Sequence, residues 1–173
     1  MLQIYDKLLE LPLFLGIGST DLAEIVRTTR FGFLKLRPKE TLAKENEKND
    51  KLYFLMDGRL SIESCADNHS YSIIEEIDPP TAIQPERIFG LVQFFSKTFI
   101  AETKCNILYI DKSEVLNLIN KYLIFRLNFL NMLSSQAQRG SRLPWQQQPK
   151  DIKEKFIYFV RTHCAHPAGK KII

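Results

Sequence analysis

Three histidines and three cysteines are the residues of this 173-residue chain best able to hold a metal or carry a nucleophile. His163-Cys164-Ala165-His166 sets three donors within four positions. It lies beside Pro167, at the end of a predicted helix, and no second donor cluster stands elsewhere to complete a tetrahedral site, so the run reads as helix-end polarity. Cys65, Cys105 and Cys164 are an odd and scattered set without a Cys-x-x-Cys pair, which argues for reduced packing residues and against a disulfide framework or a zinc knuckle. His69 falls in the turn Ala66-Asp67-Asn68-His69. No nucleophile is set beside a base, and no pair of carboxylates on the predicted strands is placed for acid–base work, so no catalytic residue and no metal ligand is assigned and the chain is not expected to be an enzyme.

The elements that would position any site are short strands followed by helices. Leu52 to Ile62 places two apolar, aromatic runs around Asp57-Gly58, which predicts a β-hairpin because both turn positions must accept positive φ. Further strands are expected at Phe31–Leu36, Thr41–Ala43, Arg59–Cys65, Tyr71–Ile77, Phe99–Thr103 and Asn106–Ile110. The stretch from Asp78 to Arg87 holds three prolines and is excluded from any central strand position, since proline gives no donor to a ladder. A helical turn is expected over Lys7–Glu10, with a second helix capped by Ser19 or Thr20 and running through Leu22, Ile25 and Val26. Another opens at Asp111-Lys112-Ser113-Glu114, its acids suited to the positive N-terminal end.

From Tyr122 the helical pattern has two apolar sides. Leu123, Leu127 and Leu130 fall on one, Phe125, Phe129 and Met132 on nearly the opposite one, at the roughly 100° step of an α-helix. Such a helix has two surfaces to bury, which suits one that lies on its own barrel and against a second copy; these six residues form the expected dimer set, with the face that meets the partner left open. Arg139 to Pro149 is a hinge or a kinked helix end, and Lys150 to Cys164 an amphipathic helix. Pro167-Ala168-Gly169 turns into a strand start at Lys170–Ile173.

The composition, 45% hydrophobic and 25% charged, is that of a globular protein, with a net charge of +4. From Arg139 onward eight basic residues face two acidic ones, a balance that suits a phosphate-facing segment or a lysine-rich solvated helix face. The most apolar run, Tyr122 to Leu133, is interrupted by Arg126, Asn128 and Asn131, and the N-terminus does not read as a secretory signal, so a cytoplasmic protein with no membrane contact is expected.

Leu11-Pro12-Leu13-Phe14, the helix start Ser19-Thr20-Asp21-Leu22, the run Thr41 to Glu47 and the segment Leu52 to Gly58 come one after another in an order that resembles the sensor domain of the CRP/FNR superfamily of bacterial transcription regulators. The resemblance implies a mostly β fold with helices: a cyclic-nucleotide-binding-like antiparallel β-roll of the double-stranded β-helix or jelly-roll type, followed by a long dimerisation helix. It implies a sensor domain with N-terminal helices at 1–120, a dimerisation helix and hinge at 121–148, and the start of an incomplete winged-helix DNA-binding domain at 149–173. Asn46 stands where the family has glycine at a tight turn, and tolerates the same left-handed geometry.

Within this resemblance, Ile88 to Phe95 falls where cyclic-nucleotide binders carry a short phosphate-binding helix. Gly90 fits; Leu91 stands in place of a ribose-binding glutamate, and Ser96-Lys97-Thr98-Phe99 has no Arg-Ser pair. Lys97 remains as a point charge without arginine's two-pronged geometry. The expected effector pocket is therefore Phe89, Gly90, Leu91, Val92, Gln93, Phe94, Lys97 and Phe99, whose aromatic character suggests a filled core or a pocket for an apolar ligand. The resemblance implies the sensor and dimerisation region of a regulator that answers to an effector other than, or in addition to, cyclic AMP, with a homodimer, an unidentified small molecule and, through a further C-terminal part, DNA as partners. A haem-binding gas or redox sensor of the same superfamily is the alternative, because one His, Cys or Met suffices as axial ligand; an iron–sulfur sensor of the FNR type is excluded, since no cysteine precedes Cys65. A cupin-like metal enzyme would need several inward histidines, and the barrel segment contains only His69.

Overall fold

The structure, a computed structural model, describes residues 2–65, 72–141, 151–163 and 171–172. The chain opens with α1 (Leu2–Leu9), a 3-10 turn at Pro12–Phe14 and α2 (Ser19–Thr28). Seven strands then run without a long helix between them: β1 (Phe31–Leu36), β2 (Thr41–Ala43), β3 (Lys51–Asp57), β4 (Leu60–Cys65), β5 (Ser72–Ile77), β6 (Thr81–Ile83) and, after a 3-10 turn at Pro85–Arg87, β7 (Thr98–Ala101). After β8 (Cys105–Asp111) come α3 (Lys112–Lys121), α4 (Leu123–Ser141), α5 (Ile152–His163) and β9 (Lys171–Ile172). The strands form two antiparallel sheets, one in the order β1-β8-β3-β6 and the other β2-β7-β4-β5-β9. This is the mostly β roll with helices expected from the sequence.

Period-two alternation divides the apolar residues of β3 and β8 between two cores. Leu52, Phe54 and Met56 of β3, with Leu108 and Ile110 of β8, face the helical layer and pack with Leu8, Phe14, Leu22, Ile25, Val115, Leu118 and Phe125. Leu55 and Ile107 face the other way and meet Leu60, Ile62, Ile77, Phe99 and Ala101 of the second sheet. A site placed between the sheets therefore lies on the opposite side of β3 and β8 from the helices.

The Asp57-Gly58 turn does not make a hairpin. β3 pairs with β6 and β8, whereas β4 pairs with β5 and β7, so the turn is a corner that carries the chain from one sheet to the other. Gly58 has φ +90°, and a Cβ there would stand 2.4 Å from the Lys104 carbonyl oxygen. Glycine is required because the turn between β7 and β8 crosses directly over the corner. Nor do Ser19 and Thr20 cap α2: Gly18 takes that position, without a side-chain bond.

Other expectations are met closely. Asn46 adopts φ 63°. The proline-bearing stretch contributes β6, an edge strand bonded to β3 alone in its sheet. α4 continues through Gly140 to Ser141; the rest of the expected hinge, 142–149, lies outside the described residues, as do His69, Cys164 and His166. The C-terminal strand is found at Lys171–Ile172, where it adds to the outer edge of β5.

Candidate functional site

The two-sided helix decides the local geometry first. Phe125 and Phe129 are buried in their own protomer, Phe125 edge-on to Phe14 at 5.3 Å between ring centroids and Phe129 edge-on to Phe89 at 5.9 Å. Met132 packs partly buried against the same core. These three residues of the expected dimer set are thus engaged by the roll itself, while Leu123, Leu127 and Leu130 remain exposed on the other side of α4. Asn128 adds to the docking of α4 by donating to the carbonyls of Leu13 and Leu15.

The residues expected to line an effector pocket divide into three groups. Phe99 is buried between the sheets, and Lys97, at the same strand phase, points to the same interior. Phe89 is half-buried against α4, with the Lys112 ammonium 5.2 Å from its ring centroid. Leu91, Val92 and Phe94 are exposed. Gly90, at φ +89° with open space around it, turns this tip outward, and the Gln93 side chain donates back to the Gly90 carbonyl while accepting from Lys112. The short helix that the resemblance places around Gly90 occurs earlier, as the single turn Pro85–Arg87, preceded by Gln84 in the left-handed region at φ 39°.

That turn is fastened by Gln84. Its side-chain amide donates to the Ser96 hydroxyl at 2.6 Å, and its amide oxygen accepts from the Ser96 N–H at 3.0 Å. Its carbonyl accepts from the Asn49 side chain, a buried residue whose own backbone N–H bonds to the Gln93 carbonyl. An aromatic row runs from β8 across β3 to β7: Tyr109 to Tyr53 at 5.8 Å, Tyr53 to Phe95 at 6.2 Å and Phe95 to Phe99 at 6.0 Å. Burial, reinforced by the Asp50 and Glu47 charges, pushes the Tyr53 phenol up to about 12.

Lys97 is held in an ion pair. Its ammonium lies 3.3 Å from the Glu75 carboxylate, which is completely buried. Glu75 reaches the interior because it pairs with Ile62 and shares the strand phase of Ile77, both inter-sheet core residues. At that separation the attraction is about 5 kcal/mol for an effective dielectric near 20. It is set against desolvation of both ions, several kcal/mol each. Glu86, in the short turn, also feels the Lys97 charge. Although the residue keeps solvent exposure, protein crowding its carboxyl raises the pKa above the ordinary value, while the Lys97 charge and a bond with Gln136 of α4 act the other way. Sequence reasoning missed Glu75, Glu86 and Gln84. For Glu75 a signal existed, an acid two positions before Ile77, at the same strand phase as that apolar core residue.

The sequence from residue 33 to residue 122, more than half of the chain, matches the model of the family described as the cyclic nucleotide-binding domain. The chain belongs to that family. No curated protein matches it. Among solved structures, this cyclic nucleotide-binding domain is similar to a transcriptional regulator of Thermotoga maritima, with 24% identity, a TM-score of 0.61 and coverage of 70% of this chain and 93% of the other. It is also similar to the sensor domain of the transcriptional regulator DNR of Pseudomonas aeruginosa, at 16% identity, TM-score 0.66 and coverage of 84% and 95%. A third is the catabolite activator protein of Thermus thermophilus, at 14% identity and TM-score 0.66, where 76% of this chain spans 61% of that one. At these identities the likeness is one of fold. The domain shares the roll and the helix behind it; the charged pair of its interior is its own Lys97 and Glu75.

Proposed function

We propose that the chain is the sensor and dimerisation region of a CRP/FNR-type transcription regulator that works in the cytoplasm and answers to an effector other than, or in addition to, cyclic AMP. The observation that carries this reading is the division of α4: one face is locked into the roll through Phe125 and Phe129, and the other presents Leu123, Leu127 and Leu130 to solvent. A row of exposed leucines one to two turns apart is the seam of a helix pair, and a second copy of the chain is the partner that supplies a matching row by two-fold symmetry. The similar structures described as transcriptional regulators support the same reading. Groove recognition of DNA needs a recognition helix, and with Lys171–Ile172 paired to β5 of the roll these 173 residues alone are expected to give no sequence-specific shift of duplex DNA.

The interior supports the choice of effector. A cyclic phosphate brought between the sheets needs a cation and backbone donors. Lys97 is committed to Glu75. Sedimentation equilibrium at micromolar concentration tests the assembly: a dimer that Leu127→Asp converts to monomer is expected, and a monomer in both cases refutes it. Calorimetric titration with cyclic AMP and cyclic GMP tests the effector, and micromolar binding of either that is lost in Lys97→Ala refutes that part.

A further inference from the structure

Among the five ion pairs of the described residues, four join side chains that are each at least 38% exposed, and one does not: Lys97 is 15% exposed and Glu75 0%. A buried pair of this kind is poorly explained by stability alone, because apolar residues of similar volume commonly serve as well or better. Its position is informative. Glu75 stands in the row Glu75, Ile62, Phe99 across the inward face of the second sheet, and Lys97 enters from the start of β7, beside the aromatic row of Phe95 and Tyr53. The interior therefore holds a fixed cation already matched by an anion of the chain. Any free anion approaching Lys97 would have to turn Glu75 away, separating a completely buried carboxylate from its ion-pair cation, and would do so close enough to the Glu86 carboxylate for that charge to be felt at Lys97.

We propose that Glu75 is a resident counter-anion: it occupies Lys97 as an anionic ligand would have to, closes the roll to anions including cyclic nucleotides, and restricts the interior to ligands without net negative charge. The inference deepens the reading of the effector given above and rests on it. It names Glu75 as the specificity-determining residue and makes Lys97 a latent anion site, exposed when the charge on residue 75 is removed while its shape is kept.

The test uses the full chain as wild type, Glu75→Gln and the double variant Glu75→Gln/Lys97→Gln, titrated calorimetrically with cyclic AMP and with inorganic phosphate, and melted in phosphate and in chloride at equal ionic strength. The wild type is expected to show no saturable binding of either anion and no phosphate-specific shift in Tm. Glu75→Gln is expected to bind inorganic phosphate at least tenfold more tightly than the wild type, with salt weakening the interaction, and the double variant to lose that gain. A folded Glu75→Gln without the gain, or a gain that survives in the double variant, overturns the proposal. Should Glu75→Gln not fold, Glu75→Asp carries the test: its shorter arm loosens the pair, so phosphate raises its Tm above that in chloride, and equal Tm values overturn the proposal. Failure here is distinct from failure of the effector reading: in the first case wild type and Glu75→Gln are both silent, in the second the wild type itself binds cyclic nucleotide.

Discussion

Phe125 and Leu127 lie two positions apart on α4, and replacing each should separate the stability of the protomer from its assembly. The Phe125 ring is completely buried and meets Phe14 edge-on at 5.3 Å, so Phe125→Ala loses a full aromatic burial, one ring pair and whatever volume the core cannot recover. For such a site the cost is about 3–5 kcal/mol, of which roughly 1 kcal/mol is the ring pair. At about 2–4 °C per kcal/mol for a chain of this size, Tm falls by roughly 6–20 °C. Leu127 is 45% exposed, and its loss should change the isolated protomer by no more than about 0.5 kcal/mol. Urea unfolding followed by far-ultraviolet circular dichroism over a hundredfold range of protein concentration distinguishes the two. The wild type should show a midpoint that rises with concentration, as mass action requires of a dimer. Phe125→Ala should keep that dependence around a lower midpoint, and Leu127→Asp should abolish it while retaining the dilute wild-type midpoint. Equal losses at high dilution for both variants would mean that the division of α4 into a core face and a partner face is mistaken.

Tyr53 holds its proton to about 12 against 10.0 for an ordinary phenol, so the folded state binds more protons than the unfolded one between those values. Its contribution is whole below pH 10 and lost as pH rises through the folded pKa, and the tyrosinate absorbance of the wild type minus that of Tyr53→Phe should show a late step near pH 12. Glu24 is held below the ordinary carboxylate value by bonds from Lys121 and then Tyr122. The stability this gives is present above pH 4.5 and fades as pH falls through the lower folded pKa, so the Tm difference between wild type and Glu24→Gln should shrink below pH 4.5. Gly58→Ala combines a left-handed φ with a contact on the Lys104 carbonyl, and chemical denaturation should report a loss of about 2 kcal/mol or more.

The sequence was most informative where a local rule and the fold agree. Asn46, the edge position of the proline-bearing strand and the two sides of α4 come from backbone tolerance, missing donors and helical period, all of which act over a few residues. Asp57-Gly58 shows the limit. The same residues that favour a hairpin also favour a corner, and which one forms depends on β8 lying beside β3 and β7 beside β4, pairings made by residues about 35 to 60 positions away. The site was harder for the same reason. The inward phase of Glu75 is visible in β5, but its partner Lys97 lies 22 positions on, before a different strand. The turn at Pro85–Arg87 was hidden by the prolines in and before it, which rule out a central strand and leave both an edge strand and a helical turn open.

The clamp between Gln84 and Ser96, twelve positions apart, divides the intervening chain into two parts with different freedoms. Its feet are tied to the preceding segment, Asn46 and Asn49 donating to the carbonyls of Phe95 and Gln93, and Phe95 donating to that of Glu47. Beyond these ties, Leu91 is fully exposed and Val92 about half exposed. The tip can therefore be rewritten without disturbing the roll: a reporter peptide or a protease recognition sequence grafted between Leu91 and Val92 would leave Gln84 still joined to Ser96, and after cleavage the two fragments would stay together, stitched by β8 beside β3 and by β7 beside β4.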